Sequence, residues 1–436
     1  MTDNVQYQNN AQNNGWIPND TIIETEQQPG GQHRQIVKTF IGGDHLDAFS
    51  RLRTSNPTGI FDSQFTYDLQ PLLYEQVTAQ SGAAIAHNAT NRDAVMTFAS
   101  TPTGGKAFMQ SFQHFRYQPG KSQQVFITFN MKGGVANVLK FAGYSNGTNG
   151  IEFQMNGTTP QFVIYSNTGN GNQTVVQSSW DDPMDGTGAS GITLDFSKEQ
   201  ILVIDFQALY VGRVRVGWDV DGEVVYCHNF NHANNTTEPY IATANLPVRV
   251  GMTCTGTVST TMDFNCCSVI SEGGQDDVSG YSFAAEGTGT AGNSARAHIL
   301  SLRPNTTFNS IVNRVKFVLD NVDIIVTGNT PIYWELCMGQ AISGTTTYTD
   351  VNATYSAFEY NTAGTISGTP ALVLAAGYVA ATAANKSVTS AKIANRYPIT
   401  LDVAGAVRSL GTLSLIATGL GATSAMRAVF NWHEVR

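Results

Sequence analysis

Val211-Gly-Arg-Val-Arg-Val-Gly-Trp-Asp-Val-Asp-Gly-Glu-Val-Val-Tyr-Cys-His-Asn-Phe230 decides the fold of this chain. Val214, Val216, Trp218 and Val220 alternate with Arg213, Arg215, Gly217 and Asp219, the two-residue period of a strand with one buried face. Asp221-Gly222 supplies the positive-φ pair that a type I′ turn needs, so a second strand is predicted to fold straight back over 223–230. With a two-residue turn, Arg215 falls opposite His228 and Arg213 opposite Phe230. The two arginines then form a polar strip with Tyr226 and His228 on the outer face of a sheet.

Working outward, the same signal repeats. Short strands are predicted at 65–69, 94–98, 112–117, 125–131, 151–155, 161–165, 201–206 and 246–252. Pro119-Gly120, Asn146-Gly147, Asn156-Gly157 and Asp185-Gly186 separate them. A second series follows at 297–302, 314–319, 324–327, 332–338, 357–360, 371–375, 399–403, 413–417 and 426–432. In the last of these, Met426, Ala428, Phe430 and Trp432 share one face. No helical period intervenes. The reading is all-β: two antiparallel β-sandwich domains, jelly-roll and concanavalin-like, with an extended N-terminal arm. Residues 1–55 are assigned to the arm, 56–272 to the first sandwich, 273–294 to a Gly-rich linker and 295–436 to the second sandwich.

Composition narrows the function. Charged residues make up 13% of the 436, about half the usual share, and Gly, Asn, Thr, Ser and Gln take their place. A net charge of −9 disfavours general electrostatic contact with nucleic acid. Five cysteines without a C-x-x-C pair fit free thiols better than a disulfide framework or a zinc site. Adjacent Cys266 and Cys267 point to opposite faces of a strand. No apolar run is long enough to span a bilayer, and the first residues carry no secretion signal. Membrane contact is therefore not expected.

Motifs that carry chemistry elsewhere read differently here. Gly287-Thr-Gly-Thr-Ala-Gly292 matches the dinucleotide fingerprint by letter, but no strand leads in and no helix follows, so a linker is expected. Gly120-Lys-Ser122 lacks the earlier glycine of a phosphate loop and reads as a turn. His228 and His232 stand four apart without the glutamate of a zinc protease motif. Asp181, Asp182 and Asp185 could offer oxygens to a calcium ion, or simply form turns. No catalytic, metal or cofactor site is assigned, and no cofactor is expected.

Two blocks carry a resemblance. Asp47-Ala-Phe-Ser-Arg-Leu-Arg-Thr-Ser-Asn-Pro-Thr-Gly-Ile-Phe-Asp-Ser63 resembles the opening motif of a family of virion structural proteins of tailed phages, especially aquatic ones, and of some large DNA viruses. Asp185-Gly-Thr-Gly-Ala-Ser-Gly-Ile-Thr-Leu-Asp195, Gly212-Arg-Val-Arg-Val-Gly217, Asn245-Leu-Pro-Val-Arg249, Ser301-Leu-Arg-Pro304 and Trp432-His-Glu434 are similar to the same family. Ser50 and Tyr210 stand where glycine is expected in its pattern. The resemblance implies a virion component, without placing it on capsid, vertex or tail.

The expectation is thus a virion structural protein that is not an enzyme and assembles by protein–protein contacts. Its partners would be capsid, portal, vertex or tail proteins and further copies of itself. A low-charge surface suits such packing, because fewer ions must shed water at a contact. Trp16, Phe49, Arg51, Arg53, Phe61, Arg213 and Arg215 are the expected interface residues, with the arm locking into a neighbour. The rival is a receptor-recognition module of a head or tail fibre that grips a host-surface glycan; its mark would be an exposed aromatic beside polar groups in a concave face. A polysaccharide-degrading enzyme would need two carboxylates in a cleft.

Overall fold

The computed structural model describes residues 46–53, 57–274, 280–344, 347–381 and 398–436, together with the strands Asp3–Tyr7, Thr21–Gln27, His33–Gln35 and Val388–Ala391. Met1–Leu46 forms one unit and Asp47–Arg436 another. The first holds a three-stranded antiparallel sheet, in which Thr21–Gln27 pairs with Asp3–Tyr7 on one side and His33–Gln35 on the other. The expected arm thus carries strands of its own. Its signal is the β-branched run of Thr21, Ile22, Ile23 and Thr25. Trp16 lies outside the described residues.

In the second unit, the first sandwich packs two sheets face to face. A seven-stranded sheet runs from Gln173–Val176 through Thr159–Tyr165, Gly150–Asn156, Val138–Ser145, Val248–Cys254 and Lys106–Ser111 to Tyr74–Ala79. An eight-stranded sheet runs from Glu223–Phe230 through Val214–Val220, Glu199–Phe206, Gln123–Asn130, Val258–Ser271 and Asp93–Thr101 to Ala83–Asn88. Thr58–Gln64 pairs beside Val258–Ser271. All these pairings are antiparallel, and among the described residues no α-helix occurs. Inward residues of both sheets interdigitate around Trp218, whose ring meets Phe153 edge-on at 4.8 Å. Such offset contacts add to the burial of the rings themselves.

The deciding hairpin forms as read, with Val214, Val216 and Trp218 fully buried. Its register differs by one in the outer half. Val220 faces Glu223 and Gly217 faces Tyr226, but Val216 faces His228 and Arg215 faces Asn229. Cys227 is the extra residue of a β-bulge, which no hydrophobic alternation announces. Phe61 is buried among core aromatics, 5.0 Å from Phe115 and 6.0 Å from Tyr74, and so is no interface residue. Ser50 and Tyr210, where glycine was expected, both take left-handed backbone, with φ of 62° and 58°.

The second sandwich has its own core around Trp432, Phe430 and Leu415. Its ten strands form one continuous sheet with two parts. One part contains Tyr281–Asn293, Ser424–Val435, Lys316–Val326 and Val388–Ala391; the other contains Thr349–Asp350, Phe358–Asn361, Ala297–Pro304, Leu413–Gly419, Ile332–Met338 and Leu372–Val379, and a short parallel pairing of Gly292 and Asn293 with Thr418 and Gly419 joins them. The expected linker is corrected here: Tyr281–Asn293 is a strand paired along its length with Ser424–Val435. Its glycines answer close packing, since a Cβ on Gly287 would lie 2.6 Å from the Ile299 carbonyl oxygen. The stretches 314–319 and 324–327 are one strand, with a bulge at Asp320.

The two sandwiches meet at an edge of the seven-stranded sheet. Val403 N donates to Glu75 Oε2 at 2.7 Å, and the Arg408 guanidinium lies 3.5 Å over the Phe112 ring. Burial there, with the Arg314 charge, pushes the His114 imidazole down to about 3.

Candidate binding surfaces

Five of the expected interface residues converge on one place. In the run Ile201-Leu-Val-Ile-Asp-Phe206, Asp205 is the only charge, and it faces away from the core on the eight-stranded sheet. Gln124 and Arg215 are its cross-strand neighbours. Asp205 Oδ2 accepts from Arg53 Nη2 at 2.8 Å, from Tyr226 Oη at 2.9 Å and from Arg215 Nη2; Ser122 Oγ donates to Oδ1 at 2.7 Å. The Arg215 guanidinium lies 4.0 Å over the Tyr226 ring. Burial and the Asp205 charge push the Tyr226 phenol up.

The segment 47–53 is laid on this network. Asp47 Oδ1 accepts from the amides of Phe49 and Arg51, and Oδ2 from Arg51 Nε at 2.7 Å, which ties the segment into a tight turn. Arg51 covers the Phe49 ring at 4.6 Å. Arg213 Nη2 donates to Ala48 O at 2.6 Å and to Ser50 Oγ at 3.0 Å. Arg53, Arg213 and Arg215 therefore fasten the segment to the chain's own sheet, with Phe49 and Arg51 packed on each other beside them. A cleft of about 540 Å³ remains beside it, lined by Asp47, Arg51, Arg53, Lys121 and Glu272 among others.

A second polar set lies on the outer face of the seven-stranded sheet, and the sequence reading missed it. Gln110, Arg249, Gly143 and Glu152 are successive cross-strand neighbours on four adjacent strands. The Glu152 side chain leans into the space above Gly143, where a Cβ would meet its Cγ at 2.9 Å. Gln154 Nε2 donates to Glu152 Oε2 and to Tyr165 Oη, both at 2.8 Å, and Gln161 Nε2 donates to Gln154 Oε1 at 3.0 Å. Arg249 lies over the rings of Phe108 and Phe141, at 4.4 and 4.7 Å. Among the described residues, Glu152 Oε1, Gln110 Oε1 and Arg249 Nε are buried without a hydrogen-bond partner. Burial pushes the Glu152 carboxyl up against the opposing Arg249 charge. A lone acid inside Gly-Ile-Glu-Phe-Gln-Met was the available signal.

The weighed motifs have other occupations. Asp181 accepts from Asn229 N, Asp182 from the amides of Met184 and Ser190, and Asp185 from Thr187. His232 stacks on Tyr240 at 4.0 Å, and His228 Nδ1 lies 3.3 Å from Asp181. Gly120 sits in a turn, and Lys121 Nζ donates to Gly274 O at 2.7 Å.

A third surface is apolar. At one end of the second sandwich Tyr281, Ile311 and Tyr355 are 60%, 72% and 63% exposed. The Arg436 guanidinium lies 4.7 Å over Tyr281 and 4.5 Å over Phe308, and donates to Tyr355 O. Phe308 pairs with Ile311 in a two-residue-strand hairpin.

Known proteins match in shape alone. No family model and no curated protein matches the chain. An endo-1,3-β-glucanase from Streptomyces sioyaensis covers 50% of this chain and 97% of its own, at 10% identity and a TM-score of 0.36. A pseudo β-1,3-glucanase and immunostimulatory antigen of Mycobacterium tuberculosis covers 49% and 98%, at 10% identity and 0.33. A carbohydrate esterase from a Shiga toxin-encoding bacteriophage covers 49% and 99%, at 12% identity and 0.31. The expectation that the chain is not an enzyme is corrected at this point. It rested on the resemblance and on finding no catalytic motif in the sequence, and neither ground speaks against catalysis. An all-β scaffold is no argument against catalysis.

Proposed function

We propose that the protein is a structural component of a phage particle, held there by protein–protein contacts of its second sandwich. The observation that carries this reading is the exposed cluster of Tyr281, Ile311 and Tyr355 gathered around Arg436. Large uncovered apolar groups beside an arginine are the usual makeup of an interface centre. The resemblance of residues 47–63 to virion proteins supports the setting, and the low charge of the chain supports dense packing. Particles assembled with a Tyr281→Ser, Tyr355→Ser chain test it. Loss of the chain from purified particles is expected, with the thermal melt of the isolated protein unchanged. Full incorporation of the variant would overturn the reading.

A second reading rests on a separate observation. The outer face of the seven-stranded sheet holds a carboxylate, a guanidinium, three carboxamides and a phenol, three of whose polar atoms are buried and unpartnered. Planar groups of both hydrogen-bonding senses suit the hydroxyls of a carbohydrate. The rings of Phe108 and Phe141 are covered by Arg249, so a sugar would be held here by hydrogen bonds rather than by stacking. On a glycan array the parent chain would bind a defined set of sugars, and Glu152→Gln would lose them. A blank array removes this reading and leaves the first in place.

A further inference from the structure

The strand Leu372–Val379 is the edge of its sheet. Among the described residues it pairs only with Ile332–Met338, so its other side presents free backbone amides and carbonyls. It reads Leu-Val-Leu-Ala-Ala-Gly-Tyr-Val, without a charge or a proline. Edges of this kind are the ones to which another strand adds. Three other edges are blunted. Gln173–Val176 has four residues, and Glu223–Phe230 is covered where Asp181 accepts from Asn229 N and Asp182 N donates to Cys227 O, both at 2.9 Å. The edge strand Tyr74–Ala79 bears Glu75, which holds Val403.

The side chains say which strand fits. Leu372, Leu374, Ala375 and Val379 pack on the core, while Val373, Ala376 and Tyr378 point outward. Leu374 is the extra residue of a bulge, which confines regular pairing to 375–379. Tyr378 is 70% exposed, and its ring lies 5.1 Å from that of Tyr333.

We propose that two copies of the chain pair antiparallel through residues 375–379, about a two-fold axis at Gly377. In that register Ala376 of each copy lies opposite Tyr378 of the other, and Ala375 opposite Val379. Each exposed ring then covers a small side chain, and the inward residues stay inward on both sides of the axis. A two-fold contact requires a strand complementary to itself, which this large-next-to-small order provides. No charge stands on the strand to repel its copy.

Sedimentation velocity on the full chain at micromolar concentration tests the pairing. A dimer is expected. Ala376→Lys, which sets two ammonium groups beside the axis, weakens it by ~tenfold or more. Tyr378→Thr serves the same purpose if the lysine variant does not fold. A chain carrying both Ala376→Cys and Tyr378→Cys forms a covalent dimer on oxidation. A monomeric parent, a folded edge variant with unchanged association, or an absence of cross-linking overturns the proposal. The pairing names a partner for the assembly reading but is separable from it. A chain that dimerises by this edge and never enters particles removes the virion reading and leaves this one standing.

Discussion

At the scale of the residue, Asp205 organises a buried cluster of charge. Two guanidiniums, a phenol and a serine hydroxyl converge on a carboxylate that has no exposure of its own. Taking these ions out of water is costly, and their mutual attraction offsets that only while every member is present. Asp205→Asn keeps the shape and removes the negative charge, leaving Arg53 and Arg215 buried beside each other. Stability in urea is expected to fall by about 3 kcal/mol or more. Trypsin should also cut after Arg51 and Arg53 sooner than in the parent, since the segment they anchor is loosened. An unchanged midpoint with unchanged cleavage would show that the network holds nothing in place.

At the scale of the element, legibility followed alternation. The strands Val214–Val220 and Ile332–Met338 were readable because one face is apolar and the turn residues are plain. Tyr281–Asn293 was not, because Ala and Gly can be buried without looking apolar; closeness to Ile299 and Leu300 fixes them, and that is a tertiary fact. Residues 112–117 looked like a strand, yet only Phe115 makes a bridge, to Leu246. The bulges at Cys227 and Asp320 escaped for a related reason: each inserts a residue without disturbing composition. The binding surfaces were half legible. Arg53 and Arg215 stood out as basic residues, but the acid they share lies 152 positions from the first of them, out of reach of any local pattern. Glu152 and Arg249 were passed over because nothing in one strand announces its neighbour two strands away.

At the scale of the whole molecule, two buried histidines link stability to acidity. Burial holds His114, at the junction of the sandwiches, down to about 3, and His298, in the second sandwich, down to about 4, against an ordinary value of 6.5. A base whose value falls on folding supports the native state fully above 6.5, and that support drains as the pH drops toward the folded values. Each contributes about 1.4 kcal/mol per pH unit in that window. The urea midpoint should therefore be flat in the histidine contribution above neutrality and decline from about pH 6 to about pH 4. His114→Asn should make that decline shallower by one proton; an identical profile would show that this side chain stays wet. One last property follows from Thr58 facing Ser271 across adjacent strands. The polypeptide comes into the first sandwich and leaves it at a single corner, within the ~5 Å that separates neighbouring strands. Some two hundred residues are thus closed off between neighbouring strand ends, so another sequence can replace that stretch where it keeps the contacts that Glu75 and Phe112 make with the second sandwich.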